Sequence, residues 1–399
     1  MIKYIIADTI RGIIFLLANM LISPLIALLS ISRNNQVMKR WRAKIEAHSF
    51  VFKYTKPMPY SEIGLSVSHK SIFFDIFSSH KTHAKGSVLV IGPYTGSHGI
   101  ICHDIVKVMQ KDCSIHLVNW KDVKHLPASL DVMGFNDAVL SIKEILRNIG
   151  EPVHVICVSS ASLVALSCVA LIKDDRIKPL SLIMISGNIN AKGKSIGAFD
   201  KVLSSLSELD KKLLTQELIN VSDRKIKKNK LHFTVPFYYQ GRGRSVLPGI
   251  IIQCLFFYLN KKRKRKFLIH YMQDDDLVCN QIKLFFSNYL PSIDIPYAYY
   301  EDINFIMKQN LLYDSRLKIY NERVDLSLID KTKVLTIEGQ LDEICSPGQT
   351  SDVLNELIGL PPHMKSSYIH AYADHAALYS GPFFYLDIAR CIKSFIADE

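Results

Sequence analysis

The chain has 399 residues, 48% of them hydrophobic and 22% charged, which excludes a disordered chain and supplies a core for two or three domains or one large α/β domain with an insertion. Forty-nine Lys and Arg against 37 Asp and Glu leave a formal charge of +12, an excess that suits an acidic partner surface such as nucleic acid, anionic lipid or a coated particle.

Residues 1–59 read as a helical segment. Gly12 to Ile31 is a run of twenty residues without a charge, long enough to span a bilayer. Asn19 and Ser23-Pro24 interrupt it, and Asp8 and Arg11 precede it, so a buried or surface-docking helix is an equal reading. Residues 60–79 alternate as a strand pair. From about residue 87, short apolar runs alternate with helical patterns. Val88–Ile91, Ile115–Val118, Val153–Val158 and Leu180–Ile185 read as buried strands, and the stretches near Asn136–Asn148 and Ser160–Ile172 as helices. The rhythm returns with strands at Val334–Ile337 and Tyr368–Ala371 and a last helix at Tyr385–Ile396. Strands that alternate with helices predict a mostly parallel sheet covered on both faces. Between residues 192 and 330 the rhythm is missing, and the stretch reads as a helical, aromatic and basic lid insertion. The expected organisation is therefore 1–59, a core in two parts (60–191 and 331–399), and the insertion at 192–330.

The eight cysteines form no C-x-x-C pair and mostly sit in apolar runs, which fits buried thiols in a reducing compartment. No zinc or calcium spacing is present, so neither metal nor cofactor is expected. No nucleic-acid reader motif occurs either, and no nucleic-acid partner is expected.

The chemistry concentrates at strand ends. In His154-Val155-Ile156-Cys157-Val158-Ser159-Ser160-Ala161 a buried strand runs into a helix through a small polar residue. That is the layout of a nucleophile elbow, with Cys157 and Ala161 at the glycines of G-x-S-x-G. The plain alternative is a serine N-cap. After a later strand comes Glu338-Gly339-Gln340-Leu341-Asp342, and Asp374-His375 precedes the last helix. Alone, Asp342 reads as a surface turn and His375 as a helix cap. Together, Ser159, Asp342 and His375 follow the Ser…Asp…His order of the α/β-hydrolase fold, each at a strand-to-helix loop. The Gly-rich loop Gly92-Pro93-Tyr94-Thr95-Gly96 points to oxyanion donors at the backbone N–H of Tyr94 or Thr95, joined by that of Ser160. Cys157, two residues before Ser159, is an alternative nucleophile.

With these residues assembled, the chain resembles the intracellular polyhydroxyalkanoate (polyhydroxybutyrate) depolymerases over most of residues 88–399. Val334–Thr350, VLTIEGQLDEICSPGQT, is similar to L-T-V-E-G-E-x-D-D-I-x-x-x-G-Q-T. Asn119-Trp120-Lys121-Asp122 with Leu126-Pro127, Ser186-Gly187-Asn188-Ile189-Asn190, Leu247-Pro248-Gly249, and His375 with Tyr379-Ser380-Gly381 resemble further stretches. The resemblance implies an α/β-hydrolase fold and hydrolysis of a water-insoluble polyester in the cytoplasm at a granule surface. It carries over a nucleophile at Ser159, an acid at Asp342 and a base at His375. The family has Cys-Gln-Pro where this chain has Ser159-Ser160-Ala161, so the nucleophile here is a hydroxyl. Rival readings are a general carboxylesterase or lipase, polyester synthesis, and a non-catalytic granule- or membrane-surface protein.

The charge is not spread evenly. Arg224 to Lys266 contains thirteen Lys and Arg and no Asp or Glu, so the remainder of the chain sums to −1. A solvated helix surface explains this, and so does docking of the insertion on an anionic granule or membrane.

Overall fold

The computed structural model describes residues 60–82, 84, 86–94, 99–123, 133–191, 219–220, 239–241, 244–247 and 293–397. All of them fall within one compact unit drawn from 59–260 and 293–399. The expected N-terminal helix, Thr95 and most of the basic stretch lie outside the described residues.

Eight strands form one sheet. They are β1 (Ser66–Lys70), β2 (Phe74–Ser79), β3 (Ser87–Ile91), β4 (Ser114–Trp120), β5 (Val153–Val158), β6 (Ser181–Ile185), β7 (Lys333–Gly339) and β8 (Lys365–His370), in the order β1-β2-β4-β3-β5-β6-β7-β8. Only β2 is reversed; it pairs antiparallel with β1 and β4, and every other pairing is parallel. This order is that of the α/β-hydrolase sheet, as the sequence led us to expect. Every residue of β3, β5 and β6 is buried, as befits central parallel strands written as continuous apolar runs.

The helices follow from the crossovers. Helix α1 (His103–Met109) carries the chain from β3 to β4, and α2 (Phe135–Ile149) carries it back past β3 to β5. Right-handed crossovers in opposite directions place the two helices on opposite faces. Helix α3 (Ala161–Ala170) leads from β5 to β6 in the direction of α2 and packs against it. The last helix, α5 (Ala389–Ala397), packs against α1. The direction of winding reverses between β3 and β5, where the loops leave to opposite sides and open a crevice at the strands' C-terminal ends. Helix α3 is buried on all sides, because its ASLVALSCVA sequence is short, small and apolar all round. Helix α2 is amphipathic. Its first turn is held by the Asp137 carboxylate, which accepts from Gly134 N at 2.8 Å, and Gly150 closes it in the left-handed conformation at φ 68°.

Helix α4 (Tyr297–Lys308) lies in the stretch read as an insertion and is tied to the core. Asp302 Oδ2 accepts from Phe135 N at 3.0 Å, an acid at the positive end of α2. The described parts of that stretch also hold strands at 219–220, 239–241, 244–247, 295–296, 317–319 and 322–323, which a helical reading did not anticipate. At two to four residues each, they are too short to show a two-residue period. Among the described residues no helix is long and apolar enough to cross a membrane.

Candidate active site

The turn from β5 into α3 places Ser159 at φ 55°, in the left-handed region that serine seldom enters. The ladder overrides that preference. Ser159 N donates to Ile185 O at 2.8 Å, one rung beyond β5, while Ser159 O already accepts from Ser162 N at 3.0 Å in the first turn of the helix. The chain reverses within one residue, which projects the side chain from the sheet edge and leaves it half-buried. Ser160 caps α3, and its backbone N–H has no hydrogen-bond partner among the described residues. An oxyanion beside Ser159 would meet that N–H at a helix N-terminus.

Tyr94 follows β3, the neighbour of β5, so the expected second donor lies across the crevice from the elbow. Its side chain fixes the loop. The ring stacks on Trp120 at 5.4 Å and its hydroxyl donates to Lys121 O at 2.6 Å. Trp120 Nε1 donates to Gly92 O at 3.0 Å, and Asn119 Oδ1 accepts from Gly99 N at 3.2 Å. The Asn119-Trp120-Lys121 stretch therefore clamps both ends of the Gly-rich loop. Thr95, the alternative donor, lies outside the described residues.

Asp342 and His375 are brought together. His375 Nδ1 lies 2.9 Å from Asp342 Oδ2. The other carboxylate oxygen accepts from Ile344 N and Cys345 N, both at 2.8 Å. Burial alone would raise the pKa of Asp342; the adjacent His375 and the hydrogen bonds from His375, Cys345 N–H and Ser186 hold it below the ordinary carboxylate value. The two loops that carry the pair are stitched together by Leu341 N donating to Ala373 O at 3.1 Å and Gln340 N to His370 O at 2.9 Å. Gly339, the last residue of β7, makes this approach possible, since a Cβ there would collide with the Ala373 carbonyl. With Nδ1 engaged by the carboxylate, Nε2 is the nitrogen left for a nucleophile. Asp342 and His375 are therefore hydrogen-bonded to each other, while Ser159 Oγ makes no hydrogen bond among the described residues; the serine stands at the end of β5, the strand next to β6.

Cys157 is a poor nucleophile. It is fully buried within β5, its thiol donates to Ile183 O at 3.3 Å, and burial pushes its pKa up to about 12. That is the setting of an inert core thiol.

Two further residues belong to the site. Glu338, buried in β7, accepts from Gly348 N (2.8 Å), Thr350 N (2.6 Å), Ser351 N (3.0 Å) and Ser351 Oγ (2.9 Å), and so anchors the far end of the loop that carries Asp342. It stands in the VLTIEGQLDEICSPGQT stretch, so the motif that pointed to Asp342 also contained this signal. Ser186, at the end of β6, touches both Asp342 and His375. Its stretch, Ser186–Asn190, carries part of the family resemblance, but nothing in it marked the Ser186 side chain as a partner of Asp342 and His375. No group of residues able to hold a metal ion occurs among the described residues.

Comparison with known proteins supports the family. Residues 214–399 match the family described as PHB de-polymerase C-terminus. The match covers slightly under half of the chain. It holds Asp342 and His375 and ends short of the elbow. No curated protein matches the chain. Among solved structures, the chain is similar to a membrane phospholipase A described as a bacterial virulence factor, at 12% identity over 96% of this chain and 99% of that one, with a TM-score of 0.48. It is similar to a soluble variant of monoglyceride lipase from Saccharomyces cerevisiae, at 12% identity over 86% and 95%, with a TM-score of 0.49. It is also similar to the monoacylglycerol lipase of Paleococcus ferrophilus, at 14% identity over 81% and 99%, with a TM-score of 0.45. The fold assignment rests on the strand order. With the family match, it places the chain among the ester-hydrolysing enzymes of the α/β-hydrolase superfamily.

Proposed function

We propose that the protein is a polyhydroxyalkanoate depolymerase of the polyhydroxybutyrate type that works through Ser159, His375 and Asp342. The observation that carries the reading is the buried Asp342–His375 pair at the same sheet edge as a serine in the left-handed elbow between β5 and α3. The family match to residues 214–399 supports the polyester substrate.

In this mechanism His375 Nε2 takes the hydroxyl proton of Ser159 as Oγ attacks the ester carbonyl. Asp342 accepts from Nδ1–H throughout and stabilises the imidazolium. The backbone N–H groups of Ser160 and Tyr94 receive the oxyanion. The tetrahedral intermediate collapses, the hydroxyl end of the polymer leaves with the proton from His375, and an acyl-serine remains. Water, deprotonated by His375, then releases the hydroxy acid and restores Ser159. A serine hydroxyl is far less acidic than the thiol found in the family, so this chain depends more heavily on His375 for activation. The expected site of action is the granule surface in the cytoplasm, with the basic insertion facing an anionic coat or membrane.

The test is to present native polyhydroxybutyrate granules and soluble short-chain esters to the full-length protein and to Ser159→Ala. Release of 3-hydroxybutyrate by the native chain and its loss in the variant is the expected result. Hydrolysis confined to soluble esters would mark a general esterase. Granule binding without hydrolysis would mark a surface protein and overturn the reading.

A further inference from the structure

Ser186 has no part in the mechanism above, yet its hydroxyl lies inside the acid–base pair. Its Oγ donates to Asp342 Oδ2 and stands 2.9 Å from His375 Nδ1, the same distance that separates Nδ1 from the carboxylate. The three polar atoms form a closed triangle. The hydroxyl proton is directed to the carboxylate, and the Nδ1 proton is shared between the carboxylate and the serine oxygen. With Ile344 N–H and Cys345 N–H on Oδ1, the buried carboxylate accepts four hydrogen bonds.

Ser186 is 1% exposed, so it cannot itself meet a polymer. Its backbone is held at φ 54°, where glycine would sit without strain and a side chain does not. The strand ladder imposes that conformation, through Ser186 N donating to Ile337 O at 2.8 Å. The turn therefore favours glycine, and a hydroxyl occupies it at the one point where it can touch both members of the pair.

We propose that Ser186 is a positioning residue for His375, resting on the triad reading given above. Asp342 alone is a single acceptor, about which the imidazole can rock. A second acceptor fixed at the end of β6 limits that motion and holds the proton on Nδ1, which keeps Nε2 aimed at the serine. The donated hydroxyl hydrogen bond also satisfies a carboxylate lone pair that has no access to water.

Two variants separate the hydroxyl from the backbone. Ser186→Ala removes the hydroxyl and keeps the strained turn; Ser186→Gly removes both. Kinetics on a soluble short-chain ester, thermal midpoints and the low-field Nδ1 proton resonance of His375 are measured on the full-length protein. Both variants are expected to lower kcat about tenfold with KM changed less than about twofold, as befits a lost contact that orients a reacting group. In both, the Nδ1 resonance moves or is lost, while the glycine variant keeps or raises its thermal midpoint. Unchanged kcat in both variants overturns the proposal. So does a loss confined to the alanine variant that follows its thermal midpoint, because the serine would then be structural. Activity retained by Ser159→Ala and His375→Ala overturns the triad and this role with it, whereas activity retained by the Ser186 variants alone overturns only the role of Ser186.

Discussion

Asp342 shows how a side chain can be singled out from the sequence while its setting is missed. Its place after a strand, in Ser…Asp…His order, marked it as the acid, and it does meet His375 at 2.9 Å. The motif contained Glu338, four residues earlier, but its spacing alone did not reveal the hydrogen bonds by which Glu338 anchors the same loop, or that Ser186 shares the carboxylate. Those contacts join residues up to 189 positions apart, and a serine after a strand looks like any turn. Ser159 and Ser186 also share a left-handed backbone that composition cannot signal, because serine has no preference for it. The pair has a direct test. In Asp342→Asn the side chain keeps its shape and loses the anionic acceptor, so the imidazole can present Nδ1 as the acceptor and Nε2–H to the nucleophile. The expected loss in kcat is about 10³–10⁴-fold with little change in KM. Steady-state kinetics on a soluble ester read it, and a loss below tenfold would remove Asp342 from the triad.

Among the elements, those that could be read are the ones whose burial is written continuously. Strands β3, β5 and β6 are apolar runs buried along their whole length. Strand β8 runs Lys365–His370, whereas its sequence suggested Tyr368–Ala371. It lies at the edge of the sheet and begins with Lys-Ser-Ser, so its first half has no apolar signature. The last helical segment starts with a π-turn at Phe384–Ile388 before α5, a distinction that apolar spacing does not carry. The end of β7 was legible as a strand end, but the reason for its glycine lies in a loop 34 residues away, at Ala373. Gly339→Ala forces a methyl group into the Ala373 carbonyl and pushes apart the loops that hold Asp342 and His375. The expected cost is about 1–3 kcal/mol of stability, the usual range for overpacking a tight contact. A fall in kcat should accompany it, since the displaced loops carry the acid and the base. Chemical denaturation and kinetics on the same preparation read both effects; an unaltered kcat would show that the two loops can separate without moving the pair.

At the scale of the whole molecule, two charge distributions make separate predictions. Asp104 joins α1 to the loop beyond His375: its Oδ2 accepts from Gly381 N at 2.9 Å and its Oδ1 from Tyr385 Oη at 2.7 Å. Burial would raise its pKa, but His103 and these hydrogen bonds lower it below the ordinary value, as happens at Asp342. A depressed folded-state pKa contributes stability above the unfolded value of about 3.9, and that contribution is lost as pH falls through the folded value. Thermal midpoints should therefore hold at neutral pH and fall below about pH 4. Asp104→Asn should be less stable at pH 7 and converge on the native chain in acid; parallel curves across the range would show that Asp104 is not part of the acid response.

The second distribution is the basic stretch, thirteen cations from Arg224 to Lys266 in a chain otherwise near neutrality. The proposed polyester substrate is uncharged, so under that proposal these cations would act on the surface that surrounds the polymer and not on the polymer itself. Attraction between a cationic stretch and an anionic coat weakens as the Debye length shrinks from about 30 Å at 0.01 M salt to about 3 Å at 1 M. Sedimentation with native granules across that range should show the bound fraction falling steeply. Replacing the six consecutive cations Lys261–Lys266 with serine should weaken binding at low salt and flatten its salt dependence. Turnover of a soluble ester should be unaffected by the replacement, because the chemistry is assigned to Ser159, Asp342 and His375. Binding to granules that does not respond to salt, or a serine variant that keeps the native salt dependence, would show that the stretch is a solvated surface and that the chain reaches its polymer by another route.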